Sequence, residues 1–137
     1  MAHPEPLSES DYLTLARFRY ALRVFLRFSE DAARAAGVTP AQHQLLLAVK
    51  GWDGESPPTI SDLARRLQLK NHSTVELVQR ATTAGLVDAD SDAEDGRRHL
   101  VGLTDLGESI LESLSLQHRD ELRRFRTEMN DVLRELT

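Results

Sequence analysis

The chain has 137 residues, 40% of them hydrophobic and 28% charged, the composition of one soluble globular domain rather than of a disordered chain. Its formal net charge of −5 argues against a non-specific nucleic-acid coat, while leaving room for a specific binder whose cations are gathered on one face. The absence of cysteine excludes disulfides and thiolate metal sites, and no apolar run approaches the roughly 18 residues that span a bilayer.

The opening MAHPEPLSESDY lacks the basic-then-apolar layout of a signal peptide, so a cytoplasmic protein without a membrane partner is expected. Met1 to Pro6, with Pro4 and Pro6, read as a loose arm. A helix should begin near Ser8, which caps it with Asp11 in the first turn, and should run to Ala36 and stop at Gly37. Leu15, Phe18, Leu22, Phe25 and Ser29 fall on one of its faces, widened by Ala21, Leu26 and Phe28. So much apolar surface calls for a partner, and a second copy of the chain is the simplest.

Thr39-Pro40-Ala41-Gln42 is a helix start: Thr39 caps, Pro40 takes the first helical position and Gln42 completes a capping box. The apolar helix that follows, His43 to Val49, should be the buried centre, with His43 partly exposed at its start. Gly51 to Pro58 is a loop in which Trp52 should lie over the core.

Thr59 to Gly85 then reads as two helices and a tight joint. Ser61–Leu67 buries Ile60, Leu63, Ala64 and Leu67 and is capped by Thr59, with Asp62 as a weak capping-box partner. The turn is Leu69-Lys70-Asn71. A second helix, from about Asn71 to Ala84, buries Thr74, Leu77, Val78 and Ala81 and stops at Gly85. This is a helix-turn-helix, and its second helix is of the kind that enters a DNA major groove. Leu86–Asp90 and Arg97–Leu103, joined by an acidic turn, make a two- or three-stranded wing. Thr104 caps a further helix that runs toward Phe125, and a last helix should start near Thr127. Leu122, Phe125, Met129, Val132, Leu133 and Leu136 give these a stripe that dimerisation would cover.

If Thr74, Leu77, Val78 and Ala81 face inward, then Asn71, His72, Ser73, Val75, Glu76, Gln79 and Arg80 face outward. Asn71 either caps the helix or bonds an adenine edge. His72 suits guanine or a phosphate, Ser73 and Gln79 suit bases or phosphates, and Val75 suits a thymine methyl. Lys70 and Arg80 suit phosphates. Glu76 either accepts from a cytosine amino group or pairs with Arg80 at i+4, and the pair is the expected arrangement.

The helix ending in Gly85-Leu86-Val87, the Asp95-x-Arg97 of the wing, and Val101-x-Leu103-Thr104-x-x-Gly107, in this order and at this spacing, resemble the MarR family of winged-helix regulators. The resemblance covers nearly the whole chain. It implies a mainly α fold in which 39–103 form the DNA-binding lobe, with helix-turn-helix 59–85 and wing 86–103, while 8–36 and 104–137 supply dimerisation helices. It implies a homodimeric repressor that binds a pseudopalindromic double-stranded operator and is released by a small-molecule effector near Phe18, Leu22, His43 and Leu47. Arg97 matches the family's wing arginine, which reaches the minor groove, oriented here by Asp95, with Arg98 beside it. Two departures stand out: Glu76 where the family often carries a basic residue, and a wing crowded by Asp88, Asp90, Asp92, Glu94 and Asp95. They motivate the alternative reading, a winged-helix dimer serving as a ligand-binding or protein-interaction module with weak or lost DNA binding. Thiol-based sensing, used by some relatives, is excluded by the lack of cysteine.

No enzyme is expected. The carboxylates form no visible apolar pair, the five histidines are scattered, no glycine-rich phosphate loop occurs, and neither a cofactor nor a metal is indicated.

Overall fold

The structure, a computed structural model, describes residues 3–91, 96 and 98–135. Along these run α1 (Glu9–Ala35), α2 (Pro40–Lys50), α3 (Ile60–Leu67), α4 (Asn71–Thr83), β1 (Val87–Ser91), β2 (His99–Leu103) and α5 (Asp105–Glu135). They fall into two compact units, residues 33–115 and the residues that flank them on both sides. No described helix is long and apolar enough to cross a membrane.

In the unit of residues 33–115, α2 is the centre. Its start is fixed locally: Thr39 Oγ1 accepts from Gln42 N–H and Gln42 Oε1 accepts from Thr39 N–H, both at 3.0 Å, with Pro40 opening the helix. Leu45 and Leu46 are fully buried, and α3, α4 and β2 pack around the helix. His43 is only 4% exposed, which corrects the expectation of a partly exposed ring. Ala41 in the same turn is exposed, so it is the side of the helix shared with buried Leu46, three residues on, and not position near the helix start, that decides the burial of His43.

The capping box of α3 is complete in both directions. Thr59 N–H donates to Asp62 Oδ2 at 3.0 Å and Asp62 N–H donates to Thr59 Oγ1 at 3.1 Å. The short aspartate reaches because extended Thr59 (φ −87°, ψ 170°) turns its N–H over the first turn. The helix ends at Gln68, which adopts a left-handed conformation (φ 57°) that costs a non-glycine residue roughly 1–2 kcal/mol. The cost is offset by orphan carbonyls gaining donors: Leu69 N–H reaches Ala64 O at 2.9 Å, and Gln68 Nε2 reaches Arg65 O at 2.8 Å.

Helix α4 buries Thr74, Val78 and Ala81, while Leu77 is only half-buried. Gly85 (φ 78°) turns the chain, and Leu86 N–H closes on Ala81 O at 2.9 Å. Leu86 thereby belongs to the helix end, so β1 starts one residue later than expected. The strands pair antiparallel from Val87↔Leu103 to Ser91↔His99. A single bridge, Thr59↔Leu100, with Val101 N–H on Pro58 O at 2.9 Å, is all there is of a third strand among the described residues. The wing positions 92–95 and Arg97 lie outside the described residues.

The Leu103-Thr104-x-x-Gly107 motif closes a junction. Thr104 N–H donates to Leu86 O at 3.1 Å, Thr104 Oγ1 donates to Gly85 O, and the same oxygen accepts from Gly107 N–H at 3.1 Å. A Cβ on Gly107 would overlap the Leu86 carbonyl oxygen, so the end of α4 and the start of α5 touch backbone to backbone.

In the other unit, side chains of α1 and of α5 beyond residue 115 meet in antiparallel order. Ser8 and Asp11 cap α1 reciprocally at 2.9 and 3.1 Å. Thr14 and Arg17 bond Glu135, Phe25 meets Phe125 at 4.9 Å, and Ser29 meets His118 at 2.9 Å. The buried side of α1 is Thr14, Ala21 and Ser29 with half-buried Phe18, Leu22 and Phe25, whereas Leu15 is 43% exposed and leaves the expected face. Helix α5 continues unbroken through Thr127, correcting the expected break. The Thr127 hydroxyl donates back to Arg123 O at 3.1 Å instead of capping forward, and Phe125, Met129 and Val132 extend the buried stripe through the site. Leu136 lies outside the described residues.

Candidate nucleic-acid interface

The face carrying the candidate residues is built by α3, α4 and the base of the wing. Its cations differ in how they are held. Arg65 bonds Asp62 at 2.6 Å. Arg66 stacks over the Trp52 ring at 5.0 Å and lies 3.6 Å from Asp53. Trp52 is half-buried, its Nε1 donating to Ser56 O at 3.1 Å, so the expected cover over the core is also a platform for a cation. Lys70 and Arg80 are exposed and make no ion pair among the described residues.

The N-cap of α4 is Lys70, with no side-chain cap bond, and Asn71 is the first helical residue. Of the two roles open to Asn71, capping is therefore not the one adopted, and its amide is exposed. His72, Val75, Glu76, Gln79 and Arg80 are exposed, and Ser73 is half-buried. The outward set thus matches the helical spacing. Glu76 and Arg80 do not form the expected i+4 pair. Such pairs contribute only about 0.2–0.5 kcal/mol in water, too little to hold two long exposed side chains together.

A cleft of ≈ 450 Å³ opens between the start of α3, Val75 and the wing base, rimmed by Asp62, Arg65, Arg98 and His99. Here the Thr59 backbone N–H, aided by the Thr59 hydroxyl, Arg65 and Arg98, holds the Asp62 carboxyl below its ordinary value against partial burial. Arg97, the candidate wing arginine, lies outside the described residues.

Of the four candidate effector residues, Phe18 and Leu22 are half-buried in the helical unit. In the other unit His43 is buried, whereas Leu47 is 48% exposed and lines a hollow of ≈ 330 Å³ with Gln44, Ala48, Gly51, Arg66 and Leu67. Sequence reasoning missed two features: the Trp52–Arg66–Asp53 station, and a buried His118 set between the rings of Phe25 and Phe28 with centroids at 6.2 and 5.2 Å. Both join residues remote in sequence, and no local spacing signals them. Among the described residues no three histidines or carboxylates gather as metal ligands.

The MarR family model matches residues 36–98, which span α2, the helix-turn-helix and most of the wing. A crystal structure of a MarR family transcription regulator is 26% identical to this chain, covering 83% of it and 74% of that protein, with a TM-score of 0.72. AbsC, a MarR family transcriptional regulator from Streptomyces coelicolor, is 18% identical over 92% of this chain and 84% of its own, with a TM-score of 0.76. A mutant MepR from S. aureus bound to an oligodeoxyribonucleotide is 19% identical over 96% of this chain and all of its own (100%), with a TM-score of 0.69. Among curated proteins none matches. Residues 36–98, with the helix-turn-helix and most of the wing, thus match the MarR family model, and the chain shares the winged-helix fold of MarR family regulators along most of its length.

Proposed function

We propose that this protein is a cytoplasmic, DNA-binding transcriptional regulator that works as a homodimer. The observation that carries this reading is the outer face of α4: His72, Glu76, Gln79 and Arg80 are all exposed, while Thr74, Val78 and Ala81 anchor the helix in the core. A helix held this way presents hydrogen-bonding groups at a spacing that base edges match. The MepR complex with an oligodeoxyribonucleotide supports a DNA ligand for this fold.

Residues 8–36 and 104–137 serve as dimerisation helices and 39–103 as the DNA-binding lobe. Support for a second copy comes from exposed apolar residues along both long helices: Leu13 at 60%, Tyr20 at 71%, Leu116 at 54% and Leu133 at 51%. Two-fold symmetry then makes the operator a pseudopalindrome, with one α4 in each half-site. Lys70 and Arg80 contact phosphates, and Arg97, with Arg98 beside it, reaches the minor groove from the wing; Asn71, His72, Ser73, Val75, Glu76 and Gln79 face the major groove.

The protein acts as a repressor, and a small-molecule effector releases it by favouring one dimer geometry over the other. Phe18, Leu22, His43 and Leu47 are the positions to substitute in testing effector response. The experiment is fluorescence anisotropy on the protein's own upstream DNA against a scrambled duplex, across a salt series. Selective binding that weakens with salt supports the regulator. Weak and equal binding to both duplexes supports the ligand-binding or protein-interaction module that the acidic wing and Glu76 suggest.

A further inference from the structure

Glu76 sits where a carboxylate is least expected on a helix that approaches DNA. At about 100° per residue, the line opposite the buried stripe of Thr74, Val78 and Ala81 runs through His72, Glu76, Gln79 and Thr83. Glu76 lies within about 30° of that pole and Arg80 about 60° to its side. Thr83 is already engaged, its hydroxyl donating to Gln79 O at 3.1 Å. Glu76 forms no ion pair with Arg80 and no side-chain hydrogen bond among the described residues, so its carboxylate stands free at the centre of the outer face.

We infer that Glu76 is a specificity-determining residue that demands cytosine at one position in each operator half-site; this rests on the DNA-binding reading above. A carboxylate only accepts hydrogen bonds. In the major groove thymine presents O4, and guanine presents N7 and O6, all acceptors that repel it. Adenine offers its amino group beside the N7 acceptor, which suits an amide but sets a carboxylate oxygen against a lone pair. Cytosine alone offers an amino donor with no acceptor on its own edge. Glu76 therefore discriminates mainly by rejection. On non-cognate DNA it is desolvated without a donor and faces a polyanion, so it lowers non-specific affinity as well.

The test is selection of binding sites from a randomised duplex pool by the wild-type protein, Glu76→Ala and Glu76→Gln, followed by anisotropy on the selected duplex. Glu76 is exposed, so both variants should keep the wild-type melting temperature. The wild type should select a fixed cytosine in each half-site, and replacing that C·G pair by T·A should weaken it about 5- to 150-fold, the range of a good base contact. Glu76→Ala should lose that preference and bind random DNA more tightly. Glu76→Gln should move the preference to adenine, because an amide fits adenine N6 and N7. If all three proteins select the same sequence with the same preference at every position, Glu76 is not a specificity residue while the regulator reading stands. If the wild type selects nothing, the DNA-binding reading itself fails, and this inference with it.

Discussion

Substituting Gly107 by alanine tests whether the α4–α5 junction is as tight as its geometry says. The added methyl would overlap the Leu86 carbonyl oxygen, which is backbone and cannot swing aside. That oxygen also accepts Thr104 N–H at 3.1 Å, and Leu86 itself is 2% exposed. Overpacking a rigid site costs about 1–3 kcal/mol. Displacing the Leu86 carbonyl from Thr104 adds about 1–3 kcal/mol if the bond breaks in a buried setting. The total is about 2–6 kcal/mol, or a fall of roughly 7–21 °C in melting temperature for a chain of this size. Gly102→Ala is the control: it lies in β2 with nothing within 4 Å of the added carbon, and should melt within about 2 °C of wild type. Differential scanning calorimetry at one fixed protein concentration compares them, since an oligomer's melting point depends on concentration. A Gly107→Ala protein that melts alongside Gly102→Ala would refute the backbone-to-backbone account of the junction.

Asp62→Ala should destabilise by about 1 kcal/mol at neutral pH through loss of one arm of the capping box. Because the folded-state pKa of Asp62 lies below 3.8, this contribution is complete above the unfolded value and is lost as pH falls through the folded one. The difference in melting temperature between wild type and variant should therefore be constant from neutral pH down to about pH 5 and shrink below about pH 4. Arg80→Ala should weaken DNA binding on all sequences alike and reduce the salt slope by about 1, and Arg97→Ala should weaken binding to the selected duplex, both read by anisotropy at several salt concentrations. Tyr20→Glu places a charge at a position 71% exposed in the single chain. If that face is the dimer seam, analytical ultracentrifugation should find dimer dissociation strengthened by about 30-fold or more, as for a buried anchor worth about 2 kcal/mol. An unchanged dissociation constant would place the seam elsewhere.

The helix starts were legible because caps are local chemistry. Ser8 with Asp11, Thr39 with Gln42, and Thr59 with Asp62 each sit three residues apart and each form the reciprocal bonds that spacing permits. The same residue type misled at Thr127, since a threonine hydroxyl serves equally as a cap acceptor or as a donor to the carbonyl four residues back. What decides is the burial of Phe125, Met129 and Val132, and that depends on α1, a hundred residues away in sequence. Thr104 sits between these cases: its cap to Gly107 is local, but its bond to Gly85 spans 19 residues and is legible only through the glycine that the junction requires.

The outward face of α4 was legible for the same periodic reason, while its electrostatics were not. From Thr59 to Val87 the sequence holds Arg65, Arg66, Lys70 and Arg80 against Asp62 and Glu76, a modest local excess of positive charge. Summation treats the cations as equal and pairs Glu76 with its i+4 neighbour. The structure distributes them otherwise: Arg65 is spent on Asp62, and Arg66 on Trp52 and Asp53, whereas Lys70 and Arg80 keep their charge free and Glu76 stays unneutralised beside them. The same net charge thus resolves into a free cation at the N-cap of α4, a second on its outer side at Arg80, and an unpaired carboxylate between them in sequence. Such a face gains little from phosphates in general and discriminates strongly among bases. A regulator built this way should show a shallow salt slope, at about −0.9 per phosphate neutralised, together with a high ratio of specific to non-specific affinity.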